Sequence, residues 1–550
     1  MNKSVFFDRK TYLDILQKRV SGLKDDYRQN IAIIGDELLG KTSIIFKFMD
    51  SFYDNHIILI FIDTRPESIN SFSKRFIGVL LYNFLSNSGI FLKEDLEFLI
   101  HKSTSYIPQT TEKIRLILTN LNKGRTTGVF TDLMSLCETI HLETGKYCVV
   151  IFDEFQNLEA LGFKNLYREW SRLLIADKNT MYIIISSMKF KAKAVLSKDL
   201  SLLFGNFEVI TVEPFDIKTS GEYLRARLQG VNIAAPLRDF IVHFTGGYPM
   251  YLEAISESLV KNKDSALAEL LEGILFNASG ALNQRFSNYI KRFSGLRSVN
   301  PVRNTMQISA NTIVSNGVND YIAILYLISS GTNKIKDIAH ILHKKKGELA
   351  LKINYLLEFD VITRNVDFLK INDRVFSFWM KFVYQEKLRS LTFDNRIQKA
   401  KFRDCIEAMI QEFIVTSQKP LIERMNELFR LFENEMLQIE KKKIRLNHFR
   451  EIKPLEFKSQ MLKNGLIGRS NESLWIIAVK SGLLTEEDIV EFSKECRKYH
   501  HKLQRKIIVT LKDDIDTNTR LRALEEKIWT WDINSLNQIL DLYSMPRVIA

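Results

Sequence analysis

The stretch Gly35-Asp36-Glu37-Leu38-Leu39-Gly40-Lys41-Thr42 most constrains what this chain can fold into, because it fits G-x-x-x-x-G-K-[ST] directly after the apolar run Asn30-Ile31-Ala32-Ile33-Ile34. The glycines let the backbone curl until its N–H groups point inward, and a helix expected over Ser43 to Asp50 adds the positive end of its dipole. Such a loop suits phosphate. Gly35, Gly40 and Ser43 would shape the loop and the helix start, Lys41 would reach the β and γ phosphates of ATP, and Thr42 would offer a hydroxyl to Mg²⁺.

A hydrolysing site also needs an apolar strand that ends in acid. Tyr147-Cys148-Val149-Val150-Ile151-Phe152 runs straight into Asp153-Glu154-Phe155-Gln156. A parallel strand buried on both faces reads as a continuous apolar run, and ligands of open α/β sheets sit at its carboxyl end. Asp153 is therefore the candidate for the Mg²⁺ shell, and Glu154 the candidate base that orients the attacking water. Further strands are expected at His56–Asp63, at Met181–Ser186 beside the acidic strand, and at Phe207–Val212 as the last. Ser186 or Ser187 can sense the γ-phosphate. Thr245-Gly246-Gly247-Tyr248-Pro249 should break a helical segment at a defined place.

With 550 residues, three or four domains are expected, and a hydrophobic content of 45% suffices for several cores. Met1-Asn2-Lys3-Ser4-Val5 lacks the apolar stretch of a signal peptide and no apolar run reaches the length of a membrane span, so a cytoplasmic protein without a membrane partner is expected. Cys137, Cys148, Cys405 and Cys496 are spread along the chain with no histidine at metal spacing, and read as buried or incidental thiols. The net charge of +13 is concentrated: residues 441 to 463 hold eight Lys/Arg against two Glu, and Lys334, Lys336, Lys344, Lys345, Lys346 and Lys352 stand against Asp337 and Glu348. Such clusters attract polyanions, nucleic acid foremost; solvated helix faces are the alternative.

Taken together, Phe7-Asp8-Arg9, the phosphate loop, Asp153-Glu154-Phe155-Gln156 and Gly246-Gly247-Tyr248-Pro249 resemble the archaeal-type P-loop ATPases of the signal-transduction STAND class, which are related to the AAA+ proteins. The resemblance implies that Arg9 lies near the adenine and that Pro249, in a helical lid, contacts or senses nucleotide. Relatives commonly carry an arginine after a glycine just before the last strand. Here the aligned stretch is Leu203-Phe204-Gly205-Asn206-Phe207, so Asn206 cannot serve as an arginine finger, and turnover is expected to be slow unless a partner supplies one. Arg225 and Arg227 are possible substitutes.

Residues 320 to 383 have the order of a winged helix: apolar helices at Tyr321–Ile328 and Ile335–Leu342, a third over Gly347–Phe359 with Leu351, Tyr355 and Leu356 on one face, and a hairpin of Val361–Arg364 and Phe368–Ile371. Its third helix would enter the major groove of duplex DNA, although many such modules bind protein instead. In the relatives a PD-(D/E)xK nuclease fold follows. Aligned on Lys480, this chain has Gly465 and Ala478 where that pattern wants carboxylates, with Glu451, Glu456 and Glu472 as nearby acids that could compensate.

The expected fold is therefore α/β, a P-loop NTPase parallel sheet with a helical lid, then a winged helix and a C-terminal α/β nuclease-like domain. The divisions are an ATPase core at 1–213, lid and connector at 214–315, winged helix at 316–385, and connector with a degenerate nuclease-like domain at 386–550. The function expected is an ATP-driven switch acting on or near DNA, with a protein partner or self-association also open. A nucleotide-gated DNA-binding or protein-interaction scaffold is the alternative, and an ATP-dependent nuclease is disfavoured.

Overall fold

Residues 6–86, 93–201, 207–263, 265–294, 320–389, 394–439, 442–457, 462, 464–471, 473–480, 482–499, 503–512 and 515–549 are described by the computed structural model. The stretch 202–206 with Asn206, and also Lys441 and Glu472, lie outside them. Two compact units account for the chain: residues 1–214 with 248–250 and 358–360, and residues 215–247 with 251–357 and 361–550.

Five strands form the sheet of the first unit: β1 (Ile31–Ile34), β2 (Ile57–Asp63), β3 (Tyr147–Asp153), β4 (Thr180–Ser186) and β5 (Glu208–Thr211). Their order is β2-β3-β4-β1-β5 and every pairing is parallel. All residues of β1 and β4 are buried, as continuous apolar runs between two neighbours should be. Trp170 anchors the core on one face, meeting Phe130, Phe152 and Tyr182 edge-on at centroid distances of 5.5–5.6 Å. Cys137 and Cys148 are buried in this unit as free thiols.

Gly246 and Gly247 adopt φ of 63° and 82° and end the helix Ala235–Thr245, while Pro249 is the first residue of the helix Pro249–Lys261. The break falls where the sequence placed it. Helices at Asp320–Ser329, Ile335–Ile341 and Lys346–Glu358 precede a hairpin of β6 (Ile362–Asn365) and β7 (Phe368–Ile371). One expectation fails here. Leu351 is 74% exposed, and the buried stripe of its helix is Leu349, Ile353 and Leu356. Those three recur at i, i+4 and i+7, the spacing of one helix face, which Leu351 does not share.

A second hairpin, β8 (Met436–Ile439) with β9 (Lys442–Arg445), leads to a mixed sheet of β10 (Glu451–Glu456), β11 (Asn464–Arg469), β12 (Leu474–Lys480), β13 (Leu503–Thr510) and β14 (Ile528–Trp531), in that order. β12 is the middle strand, antiparallel to β11 and parallel to β13, and the helix Glu486–Cys496 separates β12 from β13 in the chain. Alternation sorts the sheet into two cores: Trp475, Ile477, Ile507 and Val509 face one way, and Ile476, Ala478 and Ile508 the other.

Candidate nucleotide site

β1 delivers the chain to Gly35, whose N–H donates to the Ser186 carbonyl at 3.2 Å. A Cβ at this position would sit 2.6 Å from the Val212 carbonyl oxygen, so only glycine lets the loop pass so close to the end of β5. Leu38 and Gly40 then take φ of 70° and 80°, the left-handed turns that swing the backbone into the helix Lys41–Ser51. Ser43 is exposed in its first turn.

Lys41 is buried. Its Nζ donates to the carbonyls of Gly35 (3.0 Å) and Asp36 (2.7 Å) and to Ser187 Oγ (3.0 Å), which holds the ammonium across the mouth of the loop. Burial pulls its pKa down, against the upward pull of Glu154, Asp153 and Asp36. Thr42 Oγ1 donates to Asp153 Oδ2 at 2.7 Å, and the Glu154 N–H donates to Asp153 Oδ1 at 3.0 Å. Burial raises the pKa of Asp153, opposed by the bond from Thr42. An acid and a base that are each pushed toward neutrality can be stabilised in their charged forms by groups of opposite charge.

Glu154 stands at φ 49°, a left-handed conformation that costs a non-glycine residue of the order of 1 kcal/mol or more. Its carboxylate accepts from Gln156 Nε2 (2.6 Å), from the Ser187 N–H (2.9 Å) and from Ser187 Oγ. Thr64, buried just past β2, holds the backbone in this posture: its hydroxyl lies 2.6 and 2.5 Å from the carbonyls of Asp153 and Glu154, and its N–H donates to Asp153 at 3.0 Å. Sequence reasoning missed Thr64. A threonine following an apolar strand with an acidic end, Ile57–Asp63, was the available signal.

Of the two serines left open by the sequence, Ser187 joins Lys41 and Glu154, while Ser186 Oγ turns to its own chain at Met188. Asp36, inside the loop, pairs with Lys189 at 2.8 Å and accepts from Tyr248 OH at 3.2 Å, which brings the residue before Pro249 to the phosphate loop. Arg9 is buried at φ 69°, its guanidinium 5.5 Å from the Tyr12 ring and its Nη2 3.5 Å from the Leu39 carbonyl. Burial lowers its pKa.

A glycine loop between a central parallel strand and a helix, with a lysine and a threonine facing an acidic strand end, settles the architecture. The first unit has the P-loop NTPase fold. No family model matches the chain, and no curated protein does. Among solved structures it is similar to a Walker-type ATPase of Pyrococcus abyssi, with 19% identity, TM-score 0.48 and coverage of 68% of this chain and 96% of that one. It is also similar to the ORC2 protein of Aeropyrum pernix in its ADPNP–ADP complexes (10%, TM-score 0.38, 71% and 97%) and to AMPPCP-bound DnaA from Aquifex aeolicus (12%, TM-score 0.29, 66% and 93%).

The basic clusters are less free than their composition implies. Lys344 and Lys352 pair with Asp320 at 3.5 and 2.6 Å, and Lys334 pairs with Glu433 and Glu435 at 2.8 and 2.5 Å. Lys336, Lys345 and Lys346 are exposed, as are Lys442, Lys443 and Arg445 on β9. The tip of the β6–β7 hairpin is engaged as well: Asn365 exchanges hydrogen bonds with Gln438, at 2.9 and 2.6 Å, and Asp367 Oδ2 accepts from the Met436 N–H at 2.7 Å.

In the mixed sheet Gly465 and Ala478 are direct cross-strand partners. A Cβ at 465 would overlap the Phe457 ring and the Ile477 carbonyl, so the space a carboxylate would need is filled. Lys480 is bound 2.8 Å from the buried Asp488, whose other oxygen accepts from the Thr485 N–H and hydroxyl in a capping box. Glu451 faces Lys453 at 2.6 Å, and Glu456 pairs with Asn464 at the far end of the edge strand.

Proposed function

We propose that this protein is an ATP-binding and hydrolysing switch that acts on or near duplex DNA through its second unit. The observation that carries the ATPase reading is the 2.7 Å contact between Thr42 and Asp153, 111 residues apart, beside the buried Lys41. Two oxygen donors on one side of a phosphate loop fit Mg²⁺, a hard cation that takes one or two protein oxygens and leaves the remaining positions to phosphate and water. When bound there it supplies positive charge to the β and γ phosphate oxygens. Lys41 neutralises the same oxygens, Glu154 orients and polarises the water that attacks the γ-phosphate in line, and Ser187 touches both residues and is the polar group placed to report on that phosphate. Arg9 and Pro249 are read as flanking the nucleotide. Four free cysteines fit a reducing, cytoplasmic compartment.

We read the second unit as a lid, a winged helix and a nuclease-like sheet without nuclease chemistry. DNA is assigned to the helix Lys346–Glu358 and the exposed Lys336, Lys345 and Lys346, because the hairpin tip is already bonded to β8. The decisive experiment measures ATP binding and phosphate release by the wild type and Glu154→Gln, with and without duplex DNA, single-stranded DNA and RNA. Stimulation by duplex DNA is expected. Tight, salt-sensitive DNA binding without stimulation would favour the nucleotide-gated scaffold, and metal-dependent DNA cleavage would favour the nuclease.

A further inference from the structure

Two residues of opposite charge stand at the phosphate loop without a part in the hydrolytic chemistry. Asp36 directly follows Gly35, and its backbone carbonyl accepts from Lys41 Nζ at 2.7 Å, so it belongs to the turn that holds the buried ammonium. Its carboxylate is used on both oxygens: Oδ1 lies 2.8 Å from Lys189 Nζ, and Oδ2 accepts from Tyr248 OH at 3.2 Å. Lys189 is the first residue of the helix Lys189–Lys198 and comes two positions after Ser187, which bonds Lys41 and Glu154. The pair therefore joins the first turn of the loop to the end of β4. The start of the same helix is fixed by Asp360, whose Oδ2 accepts from the Phe190 N–H at 2.9 Å.

An acid is a costly residue in a loop that is to receive a polyphosphate. Like charges a few ångströms apart repel several times more strongly at a partly dehydrated site than in bulk water. Left alone, Asp36 would oppose the ligand that Lys41 attracts, and the bond from Tyr248 would keep the carboxylate where it is. Lys189 cancels that charge at close range. With side chains 21% and 16% exposed, the two are less hydrated than the surface pairs whose net contribution is near zero. On the reading that ATP occupies this loop, we propose that Lys189 is a positioning residue of the nucleotide site: its ammonium neutralises Asp36 and keeps the loop receptive to a nucleoside triphosphate. A pair that only tied the loop to the helix would be lost equally by changing either partner. A pair that manages charge is not symmetrical, since removing the acid removes the repulsion along with the bond.

The test is calorimetry on the full chain with ATP and with ADP, alongside melting transitions that establish the folding of each variant. Lys189→Met should weaken ATP binding by at least about tenfold and ADP binding, with one negative charge fewer on the ligand, by less; raising the salt should shrink both losses. Asp36→Asn, which breaks the same pair, should bind ATP as tightly as the wild type or more so. Added to Lys189→Met, it should bring the affinity back to within about threefold of the wild type. Lys189→Arg should keep the affinity. If Lys189→Met does not fold, Lys189→Gln takes its place. ATP binding by the folded lysine variant within about twofold of the wild type would overturn the proposal. So would a loss that Asp36→Asn reproduces by itself or fails to repair. Those outcomes leave ATP binding at the loop standing, whereas a wild-type chain that binds neither nucleotide would remove that reading and the role of Lys189 with it.

Discussion

Lys41, Glu154 and Ser187 meet around one hydroxyl, and their substitutions should separate by what each contributes. Lys41→Ala removes the buried ammonium that bonds Gly35, Asp36 and Ser187, and should abolish ATP binding by calorimetry. Glu154→Gln keeps the size of the side chain and its bond from Gln156, so binding should survive while phosphate release stops. Ser187→Ala should lower the turnover rate by about tenfold or more with binding little changed, and Ser186→Ala should leave turnover near the wild-type value, because its hydroxyl is spent on Met188. Equal losses from both serines would assign the sensor differently. At this scale the sequence singles out Lys41, Thr42 and Asp153 by motif spacing, and the fold sets Thr42 against Asp153 in the turn after the buried Lys41. The sequence leaves Ser186 and Ser187 unresolved because neighbouring residues at a strand end point to opposite faces, and only the register of β4 against its neighbours decides which one meets the loop. Thr64 acts through its hydroxyl and N–H on two carbonyls about ninety residues away, a relation that no local pattern carries.

Among the elements, the helix Lys346–Glu358 gives the sharpest prediction about DNA. Lys345 and Lys346 are exposed, but Lys344 is held by Asp320. Replacing Lys345 and Lys346 together should make the slope of log affinity against log salt shallower by about two units, and replacing Lys344 alone should leave it unchanged. Fluorescence anisotropy over a salt series decides this, and an unchanged slope in the double variant would remove the helix from the interface. The mixed sheet makes a second prediction. Gly465→Asp forces a side chain into the Phe457 ring and the Ile477 carbonyl, and should destabilise the protein by more than about 3 kcal/mol in denaturant unfolding. Adding Phe457→Ala should recover only part of that loss, since the carbonyl remains. The strands and helices themselves were legible, since buried parallel strands are apolar runs and the helix–hairpin order of residues 320–371 is periodic. Pairing between distant charges was not: Lys334 finds Glu433 and Glu435 about a hundred positions on, and composition alone counted it as free.

For the whole molecule, stability should carry the mark of one buried carboxyl in the second unit. Burial pushes Asp373 from 3.8 up to about 6, against the bonds it accepts from Tyr251 OH and the Phe376 N–H. The folded chain therefore binds more protons than the unfolded chain between those values, and stability falls as pH rises through that window, by at most about 3 kcal/mol. Asp373→Asn keeps the cap and cannot ionise, so it should gain on the wild type as pH is raised from 4 to 7, by thermal melts in matched buffers; a constant difference would place the carboxyl's titration elsewhere. Phe457 and Phe449 press against Gly465 and Gly468 from opposite faces of β11, and this has a meaning for the routes open to the chain under mutation. To gain a pair of facing carboxylates at 465 and 478 the protein must change three positions, and an acid at 465 introduced first collides, while a ring removed first leaves a hole. Each opening move is penalised before the last one is rewarded. The packing thus works as a ratchet: a sheet in this state is free to accept new roles in holding and presenting its neighbours, and is held away from metal-dependent chemistry by steps that selection would meet one at a time.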